Sequence, residues 1–81
     1  MKITVKLFAR ARDLVGAESV ELDLPDGANV GKLRSALGER CPELRPLASS
    51  LLVAVANDYA DDQTRIEPDD ELACFPPVSG G

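Results

Sequence analysis

The sequence contains no histidine. That excludes imidazole acid–base catalysis, serine or cysteine triads built on an imidazole, and zinc sites that use one. Basic residues are also short, nine against fourteen acids for a net charge of −5. A nucleic-acid binder needs a basic surface to displace phosphate counterions, so no nucleic-acid partner is expected. No apolar run approaches the roughly 18 residues that span a bilayer. In MKITVKLFARAR, charge and apolar residues alternate instead of separating into the regions of a secretory signal. The expectation is a cytoplasmic protein with no membrane partner. There are two cysteines, Cys41 and Cys74, far apart and in neither a CxxC pair nor a ligand cluster. They are expected to be buried thiols of the core, and no metal site is expected.

What remains is one small globular unit. The 81 residues leave room for a single domain, and 44% hydrophobic against 28% charged residues is ordinary for a folded chain. A core this small stabilises weakly, so its elements must be regular and must share it.

Residues 2–8 alternate as a half-buried strand, with Ile3, Val5 and Leu7 to one side and Lys2, Thr4 and Lys6 to the other. Ala9–Val15 predicts a short helix capped by Gly16. Val20, Leu22 and Leu24 mark a second strand, antiparallel to the first and ended by the turn residues Pro25-Asp26-Gly27. Asn29 predicts the N-cap of a helix whose core stripe is Val30, Leu33, Leu37 and Cys41, stopped by Pro42. Residues 42–50 read as a loop with at most one irregular turn. Residues 51–56 (LLVAVA) read as a strand covered on one face and partly on the other. Asn57-Asp58 reads as a turn, 59–66 as a short polar segment without pattern, Pro68-Asp69-Asp70 as another turn, and Leu72–Phe75 as the last strand.

This order predicts an α+β protein of the β-grasp, ubiquitin-like class. One main helix covers one face of a mixed four- to five-stranded sheet, and the first and last strands are central parallel neighbours. The expected division is a β-grasp domain over 1–75 and a flexible tail over 76–81.

The tail carries the chemical expectation. Pro76 and Pro77 hold the chain extended and away from the ladder, Val78 and Ser79 are small, and Gly80 and Gly81 have no side chain. Fully extended, six residues reach about 20 Å at roughly 3.3 Å per residue. Such a tail can thread a narrow channel in another protein and deliver a terminal carboxylate there. Many chains end in small residues that simply fray. Three features together favour a working tail: two final glycines, a diproline directly after a core strand, and the ubiquitin-like order ahead of it. A carboxylate is a poor electrophile at neutral pH. It becomes an acyl donor as an acyl-adenylate, and a sulfur nucleophile then leaves a thiocarboxylate. Neither step needs a catalytic side chain in this sequence.

Along its whole length the sequence resembles the MoaD-type sulfur carriers, the small subunits of molybdopterin synthases in the ThiS/MoaD superfamily. The residues that carry the resemblance are Val5-Lys6-Leu7-Phe8-Ala9, Ala11-Arg12-Asp13-Leu14-Val15-Gly16, Leu51–Val55, and the ending Asp70-Glu71-Leu72-Ala73-Cys74-Phe75-Pro76-Pro77-Val78-Ser79-Gly80-Gly81. The resemblance implies that a MoeB-type enzyme consumes ATP to adenylate Gly81, and that sulfur transfer makes a thiocarboxylate there. It further implies that the tail enters a MoaE-type large subunit, which holds the active site and receives the sulfur for cyclic pyranopterin monophosphate, within a heterotetramer. The small subunit is then not catalytic alone and binds no cofactor stably. Arg12 matches a recurrent position, which implies a contact to the activating enzyme. Two departures stand out: Asp69 follows Pro68 where relatives commonly carry glycine, and Val55-Ala56 precedes Asn57 where the strand often ends Val-Asn.

Strand parity adds a separate expectation. With Ile3, Val5, Leu7, Leu72 and Cys74 facing the helix, Phe8 and Phe75 point to the opposite face, and Tyr59 sits in a turn. Aromatics clustered beside the tail predict a partner patch, with Phe8 and Phe75 docking on the large subunit. The alternatives are a sulfur carrier for thiamine or cysteine synthesis, a ubiquitin-like protein modifier, and an interaction domain with no chemistry at its end.

Overall fold

In a computed structural model of the chain, residues 1–77 are described. Strand β1 (Lys2–Leu7) turns Ile3, Val5 and Leu7 inward, each at most 2% exposed. It pairs antiparallel with β2 (Ser19–Asp23), with Val5 opposite Val20 and Ile3 opposite Leu22. Between them runs the short helix α1 (Ala9–Val15), closed by Gly16 in the left-handed region with its N–H on the Arg12 carbonyl at 2.8 Å.

The main helix α2 (Val30–Arg40) starts where Asn29 accepts a hydrogen bond from the Lys32 N–H at 3.0 Å. Its buried stripe is Val30, Leu33 and Leu37, with Cys41 just beyond, and it covers the inner face of the sheet. Burying a leucine or valine of this kind stabilises by about 1.5–3 kcal/mol, so the stripe anchors the fold.

Residues 42–50 are more regular than expected. A 3-10 turn over Pro42–Leu44 leads into one turn of helix, α3 (Arg45–Ala48). Pro42 opens the first and Pro46 is the second residue of the other, places in a first turn where a missing N–H has no partner to lose. Leu44 is fully buried, and the Arg45 guanidinium reaches back to the Gly38 carbonyl at 3.2 Å.

Strand β3 (Leu52–Val55) then folds back through a tight turn into β4 (Asp58–Ala60), which forms one edge of the sheet. The turn lies at Ala56-Asn57, one residue earlier than expected, with φ of 52° and 72°. Positive φ at both central residues matches the right-handed twist of a hairpin, at a cost for a residue with a Cβ. Tyr59 is therefore in an edge strand, not a turn.

The polar segment that follows is held by α2. The N–H groups of Val30 and Gly31 donate to Thr64 O and Asp62 O, both at 3.0 Å, and Ile66 is 1% exposed in the core. The turn at Pro68-Asp69 closes through Asp70 N–H to Glu67 O at 3.1 Å and Glu67 N–H to the Asp70 carboxylate at 2.8 Å. Asp69 is not among the residues with positive φ, which explains why no glycine is needed there.

Last comes β5 (Leu72–Phe75), parallel to β1 and antiparallel to β3. The sheet order is β2-β1-β5-β3-β4, so β5 lies at the centre. This is the β-grasp arrangement. The expected parity of the first and last strands holds.

Candidate functional site

Helices cover one face of the sheet, and the opposite face is apolar over its β5–β3–β4 half. Register places Ala73 beside Ala54, Phe75 beside Leu52, and Ala54 beside Tyr59. Phe8 follows β1 in extended conformation, so its side chain continues the outer face. Ala9 then takes φ 53°, turning the chain from the sheet into α1.

Phe8 and Phe75 stack at 4.8 Å between centroids and 10° between planes. Tyr59 meets Phe75 edge-on, at 6.2 Å and 72°. All three sequence-expected aromatics thus form one cluster, with Phe8 38% and Tyr59 72% exposed. Parity was enough to place Phe8 and Phe75, whereas Tyr59 joins only because the hairpin turn is short. Leu52, 36% exposed beside Phe75, belongs to the same patch and was missed. The signal was present: inward Leu51, Val53 and Val55 imply outward Leu52 and Ala54.

The cluster sits where the chain leaves the sheet. On one side the Phe8 N–H donates to Cys74 O at 3.2 Å, and on the other Leu52 pairs with Phe75. Beyond Phe75 the ladder stops, because Pro76 and Pro77 have no N–H to donate. Pro76 is half-buried and Pro77 exposed. Val78, Ser79, Gly80 and Gly81 lie outside the described residues.

Arg12 is one helical turn from Phe8, its N–H 3.4 Å from the Phe8 carbonyl. Its guanidinium is half-exposed, 4.0 Å from Asp13. No described contact joins it to the aromatics.

Neither cysteine is suited to nucleophilic work. Burial pushes the Cys74 thiol up to about 11, opposed only in part by Arg34. Burial also raises Cys41, reinforced by Glu43 and opposed by Arg40. Both thiols stay protonated at neutral pH. Among the described residues, no group of three His, Cys, Asp or Glu is placed to hold a metal. Among the described residues, no helix is long and apolar enough to cross a membrane.

A small grasp of sheet around helix, with an aromatic patch at the base of its C-terminal strand, defines a protein of the ubiquitin-like, β-grasp class. The comparisons agree and go further. The chain belongs to the ThiS family, whose pattern it matches over residues 5–81. It is 37% identical over 81 residues to the molybdopterin synthase sulfur carrier subunit of Arabidopsis thaliana, covering 100% of this chain and 84% of that protein. Its structure is similar to SAMP1 of Haloferax volcanii, a small archaeal modifier protein, at TM-score 0.86 and 30% identity over the full length of both chains. A chain in the complex of subunits 1 and 2 of the molybdopterin-converting factor from Helicobacter pylori shares the fold at TM-score 0.70 and 21% identity, covering 100% of each.

Proposed function

We propose that this chain is the sulfur-carrier subunit of a molybdopterin synthase. The observation that carries the reading is the full-length likeness to a sulfur carrier subunit at 37% identity, together with the exposed aromatic stack at the foot of a Pro-Pro-Val-Ser-Gly-Gly ending.

In this reading the Gly81 carboxylate attacks the α-phosphorus of ATP on a MoeB-type enzyme, and pyrophosphate leaves. A sulfide-level nucleophile adds to the acyl-adenylate carbonyl, the C–O bond to AMP breaks, and a thiocarboxylate remains. Glycine suits both steps because no side chain shields the carbonyl. The tail then enters a MoaE-type large subunit while Phe8 and Phe75 dock on its surface, with Tyr59, Pro76, Pro77, Val78 and Ser79 lining the approach. Sulfur passes there to cyclic pyranopterin monophosphate. Arg12, exposed on α1, is the residue proposed to meet the activating enzyme.

The test is an intact-mass measurement after incubation with the activating enzyme, ATP and a sulfur donor. A gain matching one oxygen replaced by sulfur, absent when one residue is appended to Gly81 or when Gly81 is deleted, is the expected result. The likeness to a modifier protein makes lysine-linked adducts the competing outcome. Either those adducts or an unchanged mass with active enzyme overturns the reading.

A further inference from the structure

Strand β2 forms the sheet edge opposite β4. Its ladder with β1 fixes which of its backbone groups are used. Leu24 N–H donates to Met1 O and Leu7 N–H donates to Glu18 O, both at 2.8 Å. Bonded and non-bonded pairs alternate along an antiparallel ladder, so between those ends the bonded pairs are Ile3–Leu22 and Val5–Val20. Ser19, Glu21 and Asp23 therefore turn their N–H and C=O groups away from β1, and these groups have no hydrogen-bond partner among the described residues. Their side chains are exposed, whereas Val20 and Leu22 between them are buried in the core.

Two hollows, of about 420 and 340 Å³, run along this edge, and both are bounded by Glu21 and Arg40. They form one groove between β2 and the last turns of α2, with Ala36 half-buried in its wall. An unpaired strand edge beside a groove takes an extended chain as an added strand. Main-chain bonds then supply affinity, and alternate side chains enter the groove.

Charge separates the candidate occupants. Glu21, Asp23, Glu39 and Glu43 line the groove against Arg40 as its one base. None of the four acids is in an ion pair among the described residues. Lys2 lies opposite Asp23 across the ladder, but Thr4 lies opposite Glu21. A second copy paired about the midpoint of β2 would set Glu21 against Glu21, and like charges directly opposite destabilise a strand pair. A segment with apolar residues at alternate positions and Lys or Arg between them has the opposite match. Its apolar side chains extend the layer of Val20 and Leu22 into the groove, and its basic ones lie beside Glu21 and Asp23.

We infer that the β2 edge is a second docking surface, which takes an extended partner segment of alternating apolar and basic residues as an added strand. Strand β1 separates this edge from β5, so the surface is distinct from the aromatic patch. The inference does not depend on the sulfur-carrier reading, and its test needs neither the activating enzyme nor the large subunit.

The experiment titrates the full-length protein with a blocked peptide of alternating valine and lysine, and separately with one of alternating valine and glutamate. Amide NMR and hydrogen exchange give the readout. The lysine peptide is expected to shift the amides of β2 and of residues 36–43, and to slow exchange at Ser19, Glu21 and Asp23 by about tenfold or more. At low salt it should bind about tenfold more tightly than the glutamate peptide. Glu21→Pro removes an outward N–H that β1 does not use, a change an edge strand tolerates. It should weaken the lysine peptide by about tenfold, with a melting curve showing the variant folded. Equal binding of the two peptides, shifts confined to another face, or unchanged affinity in folded Glu21→Pro overturns the inference. No binding at millimolar peptide also overturns it, the acids then serving only to keep the edge unpaired. So does a wild-type protein that dimerises through β2. Should Glu21→Pro not fold, the double variant Glu21→Lys, Asp23→Lys decides: its preference should reverse to the glutamate peptide, and an unreversed preference overturns the basic occupant.

Discussion

Truncating Phe75 separates the two duties of the aromatic stack. In the free protein Phe75 is half-buried, with Phe8 stacked on it at 4.8 Å and Tyr59 edge-on at 6.2 Å. Truncating a fully buried phenylalanine costs about 3–5 kcal/mol. A half-buried one that also loses an aromatic pair worth about 0.5–1.5 kcal/mol should cost about 1–2 kcal/mol. For a domain of this size that lowers the melting temperature by about 5–15 °C. Phe75→Ala should therefore be folded at 25 °C. Its binding to the large subunit should suffer more, because an aromatic at the centre of an interface is worth about 2–4 kcal/mol, a loss of about 30- to 1,000-fold. Thermal melts and titration calorimetry on Phe8→Ala, Phe75→Ala and the double variant complete the test. The melts should show a coupling of about 0.5–1.5 kcal/mol between the rings. Unchanged affinity in Phe75→Ala would refute the docking role, and strictly additive melting losses would refute the stack.

Other positions give sharper readings of the fold. Ala56 holds φ 52° in the β3–β4 turn, so Ala56→Gly should relieve the Cβ strain and raise unfolding stability by about 0.5–1 kcal/mol, read from the urea midpoint; a loss of stability would count against the turn. The Cys74 thiol moves from an ordinary 9.0 to about 11 in the fold. Between those values the unfolded chain holds fewer protons than the native one, so stability is constant below the window and falls as pH rises through it, by about 2–3 kcal/mol in all. Cys74→Ala should lack that component of the alkaline loss, and parallel pH profiles for the two proteins would exclude it. The Arg34 guanidinium donates to Asp62 at 2.7 Å, to Ala48 O at 2.9 Å and to Leu51 O at 2.5 Å, tying α2 to the segments before β3 and after β4. Arg34→Met keeps the aliphatic stem but orphans those carbonyls, and should cost about 2–3 kcal/mol in chemical denaturation. A cost near zero would mean that water replaces the guanidinium.

The expectations that held and those that failed differ in the physics behind them. Period-two alternation in 2–8 and 20–24, the 30–33–37–41 stripe and the stop at Pro42 are local patterns, and each produced its element. Residues 42–50 and 59–66 lack such a pattern. Leu44 and Ile66 are both buried, and the Ile66 N–H reaches the Ala28 carbonyl far back along the chain, so single anchors in polar surroundings carried no readable signal. Tyr59 changed from turn to strand because the hairpin accepted positive φ at Ala56 and Asn57, which a residue with a Cβ does not advertise.

By itself, the order of residues determined which side of each strand faces the helix, where the chain must leave the sheet, and that no imidazole chemistry is available. Those properties follow from alternation, proline and composition, which act within a few residues. Only the folded molecule decided that Phe8, Leu52, Tyr59 and Phe75 form a single patch, with Ala54 and Ala73 side by side within it. These residues come from four separate elements, and their meeting depends on strand order, register and the sharp bend at Ala9, which are set by packing the whole core at once.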